Sequence, residues 1–235
     1  MLSICLLEAD HLRPELVGEF HSYGHLFQQL FARQPIPVQV QVFNVVDGHY
    51  PPDHQRFDAY LITGSKADSF GDAPWITRLR SYLQTRYRQG DKLLGICFGH
   101  QLLALALGGD CVRSPRGWGL GVQDYQVLQP EPWMLPAKST FSLLVSHQDQ
   151  VTQLPPDAQV LAASGFCPLA AFSVGQQVLA FQGHPEFVEE YAQALLDARR
   201  SAYGEELYRT ASATTGLVHD GEIIAQWMLR FVNQR

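Results

Sequence analysis

The chain has 235 residues, of which 46% are hydrophobic and 17% are charged, and its formal net charge at pH 7 is −6. This composition excludes global disorder and allows a sizeable core, and the length suits a single α/β domain over residues 1–235. Acidic and basic residues are scattered along the sequence, so we expect no basic surface for nucleic acid.

The first half of the chain alternates apolar, strand-like runs with amphipathic helical patterns. We predict strands and helices in the order strand 3–9, helix 15–33, strand 37–45, strand 57–65, helix 72–90, strand 92–97 and helix 99–109. Asp72 and Pro74 mark the start of the helix at 72–90, and Gly90 marks its end. The alternation predicts a doubly wound, mostly parallel sheet with flanking helices.

The pattern changes between Cys111 and Ala180, where short β-like runs follow one another with turn residues between them. These runs are 125–129, 141–147, 158–164, 169–174 and 177–182, and two helices near 187–204 and 221–233 complete the chain. The runs predict a small antiparallel β flank. Ligands of open α/β sheets bind at the carboxyl ends of the strands, so we expect Cys97, Gly64 and the residues after 182 at that edge.

Four cysteines lie far apart in the sequence, at Cys5, Cys97, Cys111 and Cys167. Without a CxxC pair or a histidine-rich cluster, we predict no structural zinc site. The N-terminus lacks a basic leader and is predicted to form a strand rather than a signal peptide, and no segment is long enough to span a bilayer. We therefore expect a cytoplasmic protein with free thiols and no membrane contact.

The stretch GICFGHQ, residues 95–101, joins the fourth predicted strand to the next helix. Gly95 to Gly99 has the form G-x-nucleophile-x-G, in which a sharp turn exposes the central side chain above the sheet. The helix N-terminus favours a thiolate at Cys97, and the Phe98 N–H would face a developing oxyanion. The alternative is a small buried cysteine at a strand end, and this pentapeptide alone leaves both interpretations open.

A histidine and an acid follow the last apolar run, in the sequence QGHPEF. Pro185 biases His184 towards an extended conformation, which places the His184 and Glu186 side chains on the same side of the chain. A cysteine nucleophile needs a histidine base, and that base needs an orienting acid. An ordinary surface loop is the alternative, and the nearby nucleophile motif makes it the weaker one.

GICFGHQ and GHPEF together resemble the class I glutamine amidotransferases, especially the glutaminase portion of GMP synthetase, over nearly the whole chain. The stretches AYLITGSKADSFGDAPWI and SPRGWGLGV also resemble free-standing relatives that include plant γ-glutamyl peptidases. The resemblance implies that Cys97 is the nucleophile, that His184 is the general base and acid, and that Glu186 orients the histidine.

The resemblance implies further contacts around that nucleophile. The Gly64 amide becomes the second oxyanion donor beside that of Phe98, although TGS stands here where the GMP synthetase branch usually has GGP. Gln101 becomes a contact for the glutamyl head group. The segment SHQDQV matches the one whose backbone holds the α-amino and α-carboxylate groups, although its composition equally fits a strand ending in a polar turn; its predicted binding residues are Ser146, His147 and Asp149.

Two aromatic residues, Trp118 and Tyr23, are further candidates for the neighbourhood of the site. We expect Trp118, in the glycine-rich stretch RGWGLG, to lie in a turn near the site. Tyr23 and Gly24 fit either an approach to the pocket from the first helix or the core, which is the commoner place for an aromatic residue at helical spacing.

The implied activity is hydrolysis of a γ-glutamyl amide bond through a thioester, acting on glutamine or another γ-glutamyl small molecule, with no metal or organic cofactor. The chain contains no SGGVDS-like pyrophosphatase loop, so it is either a glutaminase that supplies a separate synthetase subunit or a free-standing peptidase. A catalytically retired binding or regulatory domain and a thiol redox sensor are alternatives from other classes. Neither needs Cys97, His184 and Glu186 together.

Overall fold

A computed structural model describes residues 1–234. Its strands, numbered in chain order, are β1 (Leu2–Glu8), β2 (Val38–Asn44), β3 (Ala59–Ile62), β4 (Leu93–Ile96), β5 (Asp110–Arg113), β6 (Gly119–Val127), β7 (Thr140–His147), β8 (Asp149–Gln153), β9 (Ala158–Ala163), β10 (Ala171–Val174) and β11 (Val178–Phe181). Its helices are α1 (Pro14–Phe20), α2 (Tyr23–Ala32), α3 (Pro74–Arg88), α4 (Phe98–Ala106), α5 (Glu189–Tyr203), α6 (Glu205–Ser212) and α7 (Gly221–Val232).

Nine of these strands form one mixed sheet in the order β2-β1-β3-β4-β11-β10-β9-β6-β7. The strands from β2 to β11 run parallel, and those from β11 to β7 pair antiparallel. Strands β5 and β8 form a separate antiparallel pair. The predicted α/β fold is thereby confirmed, and most of the antiparallel flank is continuous with the parallel sheet.

Helices cover both faces of the parallel strands, and neighbouring residues of each strand face opposite layers. Leu6 and Leu61 pack in the core that includes residues of α2 and α7, whereas Leu7 and Ile62 pack in the core that includes residues of α3 and α4. None of the helices in residues 1–234 combines the length and the apolar character that crossing a bilayer requires.

The predicted single helix over 15–33 is wrong, because two helices, α1 and α2, occupy that range. His21 separates them with a φ of 60°, which no α-helix accommodates. Ser22 then caps α2, since its hydroxyl accepts a hydrogen bond from the His25 N–H at 3.1 Å. Apolar periodicity continues across the break, and this is why the sequence pattern does not reveal it.

The start of α3 also differs from the prediction. Pro74 is its first residue, Ala73 is the N-cap, and no side chain caps the helix, so Asp72 does not act as the cap. The sequence pattern does not predict β5, β8 and α6, and the burial of β5 and α6 explains why the pattern misses those two. Three of the four residues of β5 are exposed, and Ala211 is the one buried residue of α6, so neither carries a clear apolar signal.

Glycines at the β4–α4 turn allow the helix to pack closely against the sheet. A Cβ atom on Gly99 would lie 2.4 Å from the Ile62 carbonyl oxygen at the end of β3. One on Gly95 would lie 2.6 Å from the Gly99 carbonyl oxygen. Both positions therefore require a residue without a side chain.

We predict that Gly99→Ala lowers the free energy of unfolding by about 1–3 kcal/mol, because the added methyl group must displace backbone. Gly18→Ala is the matched control: Gly18 lies in α1 with no atom within 4 Å of an added Cβ. That change should raise stability by up to about 1 kcal/mol through helix propensity. Denaturant unfolding measures both, and equal effects of the two variants would contradict the packing argument.

Candidate active site

Cys97 occupies a strained turn between β4 and α4. Its backbone has φ 53° and ψ −101°, a left-handed conformation that residues with a side chain rarely adopt. The Cys97 N–H donates to the Phe181 carbonyl oxygen of β11 at 2.9 Å, which ties the turn to the neighbouring strand. The cysteine is 5% exposed and lines a cleft at the carboxyl edge of the parallel strands.

His184 follows β11 and is held on several sides. Its backbone N–H donates to the Leu144 carbonyl oxygen of β7 at 2.8 Å. The imidazole Nδ1 lies 2.8 Å from Glu186 Oε1, and the Phe187 ring stacks on the imidazole with centroids 3.8 Å apart. Cys97 lines the same narrow pocket as this imidazole. The predicted cysteine, histidine and glutamate are therefore neighbours in space.

The electrostatics of this group favour a charged imidazole. Burial opposes the imidazolium, but the carboxylate of Glu186 and the side chain of Cys97 outweigh it and raise the pKa of His184 to about 10. Glu186 is 2% exposed, and its Oε2 atom has no hydrogen-bond partner among residues 1–234. Its hydrogen bonding is thus directed to the histidine, whose charged form the carboxylate stabilises.

Gly64 and Phe98 lie where the sequence analysis expects oxyanion donors. A Cβ atom on Gly64 would lie 2.7 Å from His184 Cε1 and 3.7 Å from Cys97 Cβ, so a glycine is needed beside the imidazole. Within the described part of the chain, neither the Gly64 nor the Phe98 backbone N–H donates to another residue. Both amides are free to bind a ligand oxygen.

The cleft beside Cys97 has a volume of about 220 Å³. It brings together the predicted residues Gln101, Ser146, His147 and Asp149. It also contains residues 65–68 of the loop after β3, Gln148 of the segment SHQDQV, and two residues without a predicted role, Arg113 and Arg199. A larger groove of about 400 Å³ elsewhere on the protein, beside Trp133 and Arg230, contains none of the predicted site residues.

Gln101 and His147 both hold the backbone of Asp149. Gln101 Nε2 donates to the Asp149 carbonyl oxygen at 2.9 Å and to Gln182 Oε1 at 3.2 Å. His147 Nδ1 lies 3.1 Å from the same carbonyl oxygen, so it carries the hydrogen. Burial lowers the pKa of His147 to about 4, which leaves the ring neutral. In the structure, Gln101 and His147 therefore fix the polar segment that follows β7.

Charged groups in the cleft are largely paired with one another. Arg113 Nε lies 3.1 Å from Asp149 Oδ1, and its terminal nitrogen lies 2.5 Å from Asp68 Oδ1. Lys66 Nζ contacts Asp10 Oδ1 at 2.8 Å. Burial raises the pKa of Asp149, although Arg113 opposes the shift. These pairs join segments that lie far apart in the sequence, so no local motif predicts them.

Tyr23 and Trp118 both lie near Cys97. Tyr23 lines a narrow pocket together with Cys97 and His184, and its hydroxyl accepts from the Tyr191 hydroxyl at 3.1 Å. Trp118 lines the main cleft and packs edge-on against Tyr203 of α5, with centroids 5.0 Å apart. Helix α5 therefore borders the cleft.

Two further observations concern Gly24 and metal binding. Gly24 does not line the pocket, and its N–H donates to Glu8 Oε1 at 2.8 Å. Over residues 1–234, no three His, Cys, Asp or Glu side chains are grouped so as to hold a metal ion.

The chain is similar to known proteins of one family. Residues 61–198 match the family model of glutamine amidotransferase class-I. The chain is 31% identical over 186 residues to γ-glutamyl peptidase 3 of Arabidopsis thaliana, covering 76% of this chain and 74% of that protein. It is 33% identical over 190 residues to γ-glutamyl peptidase 2 of the same plant, covering 78% of this chain and 75% of that protein.

A solved structure shares the fold of this chain. The crystal structure of a glutamine amidotransferase from Thermotoga maritima aligns over 99% of both chains with a TM-score of 0.81 at 15% identity, so the two share a fold. Residues 61–198, more than half of the chain, match the family model, so the chain belongs to the class I glutamine amidotransferase family.

We predict that Glu186→Gln lowers the pKa of His184, because the variant removes the carboxylate that stabilises the imidazolium. NMR titration of the imidazole measures the shift. In a substrate assay, kcat should fall by at least about 100-fold while KM changes little, since the acid acts through the histidine. Glu190→Gln, at an exposed position at the start of α5, is the matched control. A raised KM with unchanged kcat would instead make Glu186 a binding residue.

Proposed function

We propose that this protein is a cysteine-dependent hydrolase of γ-glutamyl amide bonds, with Cys97 as nucleophile, His184 as general base and acid, and Glu186 as the acid that orients the histidine. The observation that carries the proposal is the buried His184–Glu186 pair, joined at 2.8 Å, beside a cysteine on a strained strand-to-helix turn. A buried ion pair is costly to desolvate, and ionisable groups with strongly shifted pKa values cluster at functional sites.

The chemistry proceeds in two half-reactions. The thiolate of Cys97 attacks the γ-carbonyl carbon, and the displaced electron pair forms an oxyanion that the Phe98 and Gly64 amides bind. Collapse of this intermediate breaks the C–N bond, and the imidazolium of His184 protonates the leaving amine. Neutral His184 then takes a proton from water, whose oxygen attacks the thioester carbon. Breakage of the C–S bond releases glutamate and regenerates the thiolate.

The cleft supports a glutamyl head group at one side of Cys97. The backbone from Ser146 to Asp149 is fixed by hydrogen bonds from Gln101 and His147, and such rigid polar segments orient substrate without reorganising. Arg113, itself held by Asp68 and Asp149, completes this side of the cleft. These contacts suit glutamine and γ-glutamyl peptides equally, so they define the acyl group rather than the leaving amine.

Among the possible substrates, we favour γ-glutamyl peptides turned over by the protein alone. The named relatives that support this choice are γ-glutamyl peptidases, which match this chain at 31% and 33% identity. A glutaminase subunit that passes ammonia to a separate synthetase is the second candidate. A catalytically retired domain of the same fold is the third, and the three proposed catalytic side chains argue against it.

We predict that a glutamine-analogue electrophile modifies Cys97 and spares the other cysteines near neutral pH. Burial raises the pKa of Cys111 and of Cys167 to about 12, so both stay protonated. Burial likewise raises the pKa of Cys5, which is fully buried. Peptide mass mapping locates the label, and Cys97→Ala should abolish both labelling and turnover while keeping the thermal melting profile. Labelling concentrated on another cysteine would overturn the assignment.

We also predict that the isolated protein cleaves at least one γ-glutamyl compound without ATP or a partner. A panel of glutamine, γ-glutamyl dipeptides and glutathione, with ammonia and amine products measured separately, tests this directly. Turnover that appears after a synthetase subunit is added, and at no other time, would establish the partner-dependent glutaminase instead. Silence under both conditions, combined with normal ligand binding, would establish the retired domain.

A further inference from the structure

Arg199 of α5 lies at the junction of two recesses beside Cys97. It lines the main cleft with Gln101 and Asp149, and it also lines the narrow pocket with His184 and Tyr23. The helix that carries Arg199 follows the histidine loop directly in sequence. This arginine thus approaches the proposed nucleophile from an element that takes no part in the predicted head-group contacts.

The charge of Arg199 is not neutralised by the protein. The two other cations of the cleft, Lys66 and Arg113, form ion pairs with carboxylates, whereas Arg199 forms none with any carboxylate of residues 1–234. Burial opposes its charge, but the phenol groups of Tyr203, Tyr23 and Tyr191 more than offset this and raise the pKa of Arg199. A partly buried guanidinium with aromatic hydroxyl neighbours and no carboxylate partner is suited to an anionic ligand.

The position of His184 indicates which part of a substrate would supply that anion. The imidazole protonates the leaving amine, so the amine departs on the side of Cys97 where His184 lies. Arg199 shares the narrow pocket with His184; of the predicted head-group residues Ser146 also lines that pocket, whereas Gln101, His147 and Asp149 do not. A carboxylate on a leaving group that departs on this side would meet Arg199, which has no carboxylate partner among residues 1–234, whereas Lys66 and Arg113 already pair with carboxylates of the protein.

We propose that Arg199 binds the carboxylate of the leaving amino acid and so selects γ-glutamyl amino acids and peptides over substrates with a neutral leaving amine. This inference rests on the proposed γ-glutamyl hydrolase activity and adds the chemistry of the leaving group. Arg199 is a specificity-determining residue in this scheme, since it touches the part of the substrate that departs.

The test compares two leaving groups that differ in charge and little in size. The substrates are γ-glutamylglycine and its C-terminal amide, γ-glutamylglycinamide, and the variants are Arg199→Gln and Arg199→Lys. Arg200→Gln is the matched control, because Arg200 is the next residue of α5, is half-exposed and pairs with Glu205 at 2.7 Å. Thermal melting of each variant establishes that it folds.

We expect Arg199→Gln to lose about 10- to 100-fold in kcat/KM for γ-glutamylglycine, the range of a charge-assisted hydrogen bond, and to lose little for the amide. Arg199→Lys should retain part of the preference for the acid, and Arg200→Gln should retain all of it. An equal loss on both substrates would place Arg199 at the glutamyl head group and overturn the inference, as would no loss on either.

A binding arm separates this inference from the proposed activity. In the Cys97→Ala background, calorimetry measures the Kd of the acid and of the amide with Arg199 present and with Arg199→Gln. If wild type turns over no γ-glutamyl compound, the proposed activity fails, yet a weaker Kd for the acid alone in the Arg199→Gln background still supports the carboxylate contact. Absence of binding by either ligand would end both proposals.

Discussion

The strained turn at Cys97 is the constraint on which the rest of the site depends. Parallel strands β3 and β11 flank β4 on both sides, so the chain must leave the sheet at its carboxyl edge and enter α4 at once. The left-handed backbone at Cys97 makes this abrupt exit possible, and Gly99 lets the helix approach Ile62 at the end of β3. Such strain persists because the surrounding sheet over-determines the turn. The cysteine there lines the cleft while it is 5% exposed. The Phe98 and Gly64 N–H groups beside it donate to no other residue among residues 1–234.

The histidine is brought to that turn by the adjoining strand rather than by local sequence. Strand β11 pairs with β4 in parallel, so the residues that follow each strand meet at one edge. The bridge between His184 and Leu144 then ties this loop to β7 in the antiparallel half of the sheet. One continuous sheet therefore connects the proposed catalytic residues with the segment that follows β7 and borders the cleft. This coupling explains why a flank that looks peripheral in sequence contributes to the site.

Sequence patterns predicted the alternating half of the fold well because buried parallel strands and amphipathic helices leave strong periodic signals. They also indicated Cys97, His184 and Glu186, whose chemistry depends on short local motifs. They failed where tertiary contacts outweigh local pattern, as at the break in the helix at His21 and in the exposed strand β5. The pairing of Arg113 with Asp68 and the approach of Arg199 were not accessible, because each joins segments that only the folded topology brings together.

The distribution of these contacts separates two properties of the site. The residues proposed to carry out acyl transfer sit at the β4–α4 turn and in the loop after β11, where packing is tight and substitutions such as Gly99→Ala meet backbone directly. Arg199, the residue proposed to meet the variable part of a substrate, comes from α5 at the border of the cleft. Because Arg199 is only partly buried and belongs to none of the core clusters, its side chain can change without disturbing the packing around Cys97 and His184. A fold built in this way can keep one reaction mechanism while its preference for the leaving group is set by a residue such as Arg199.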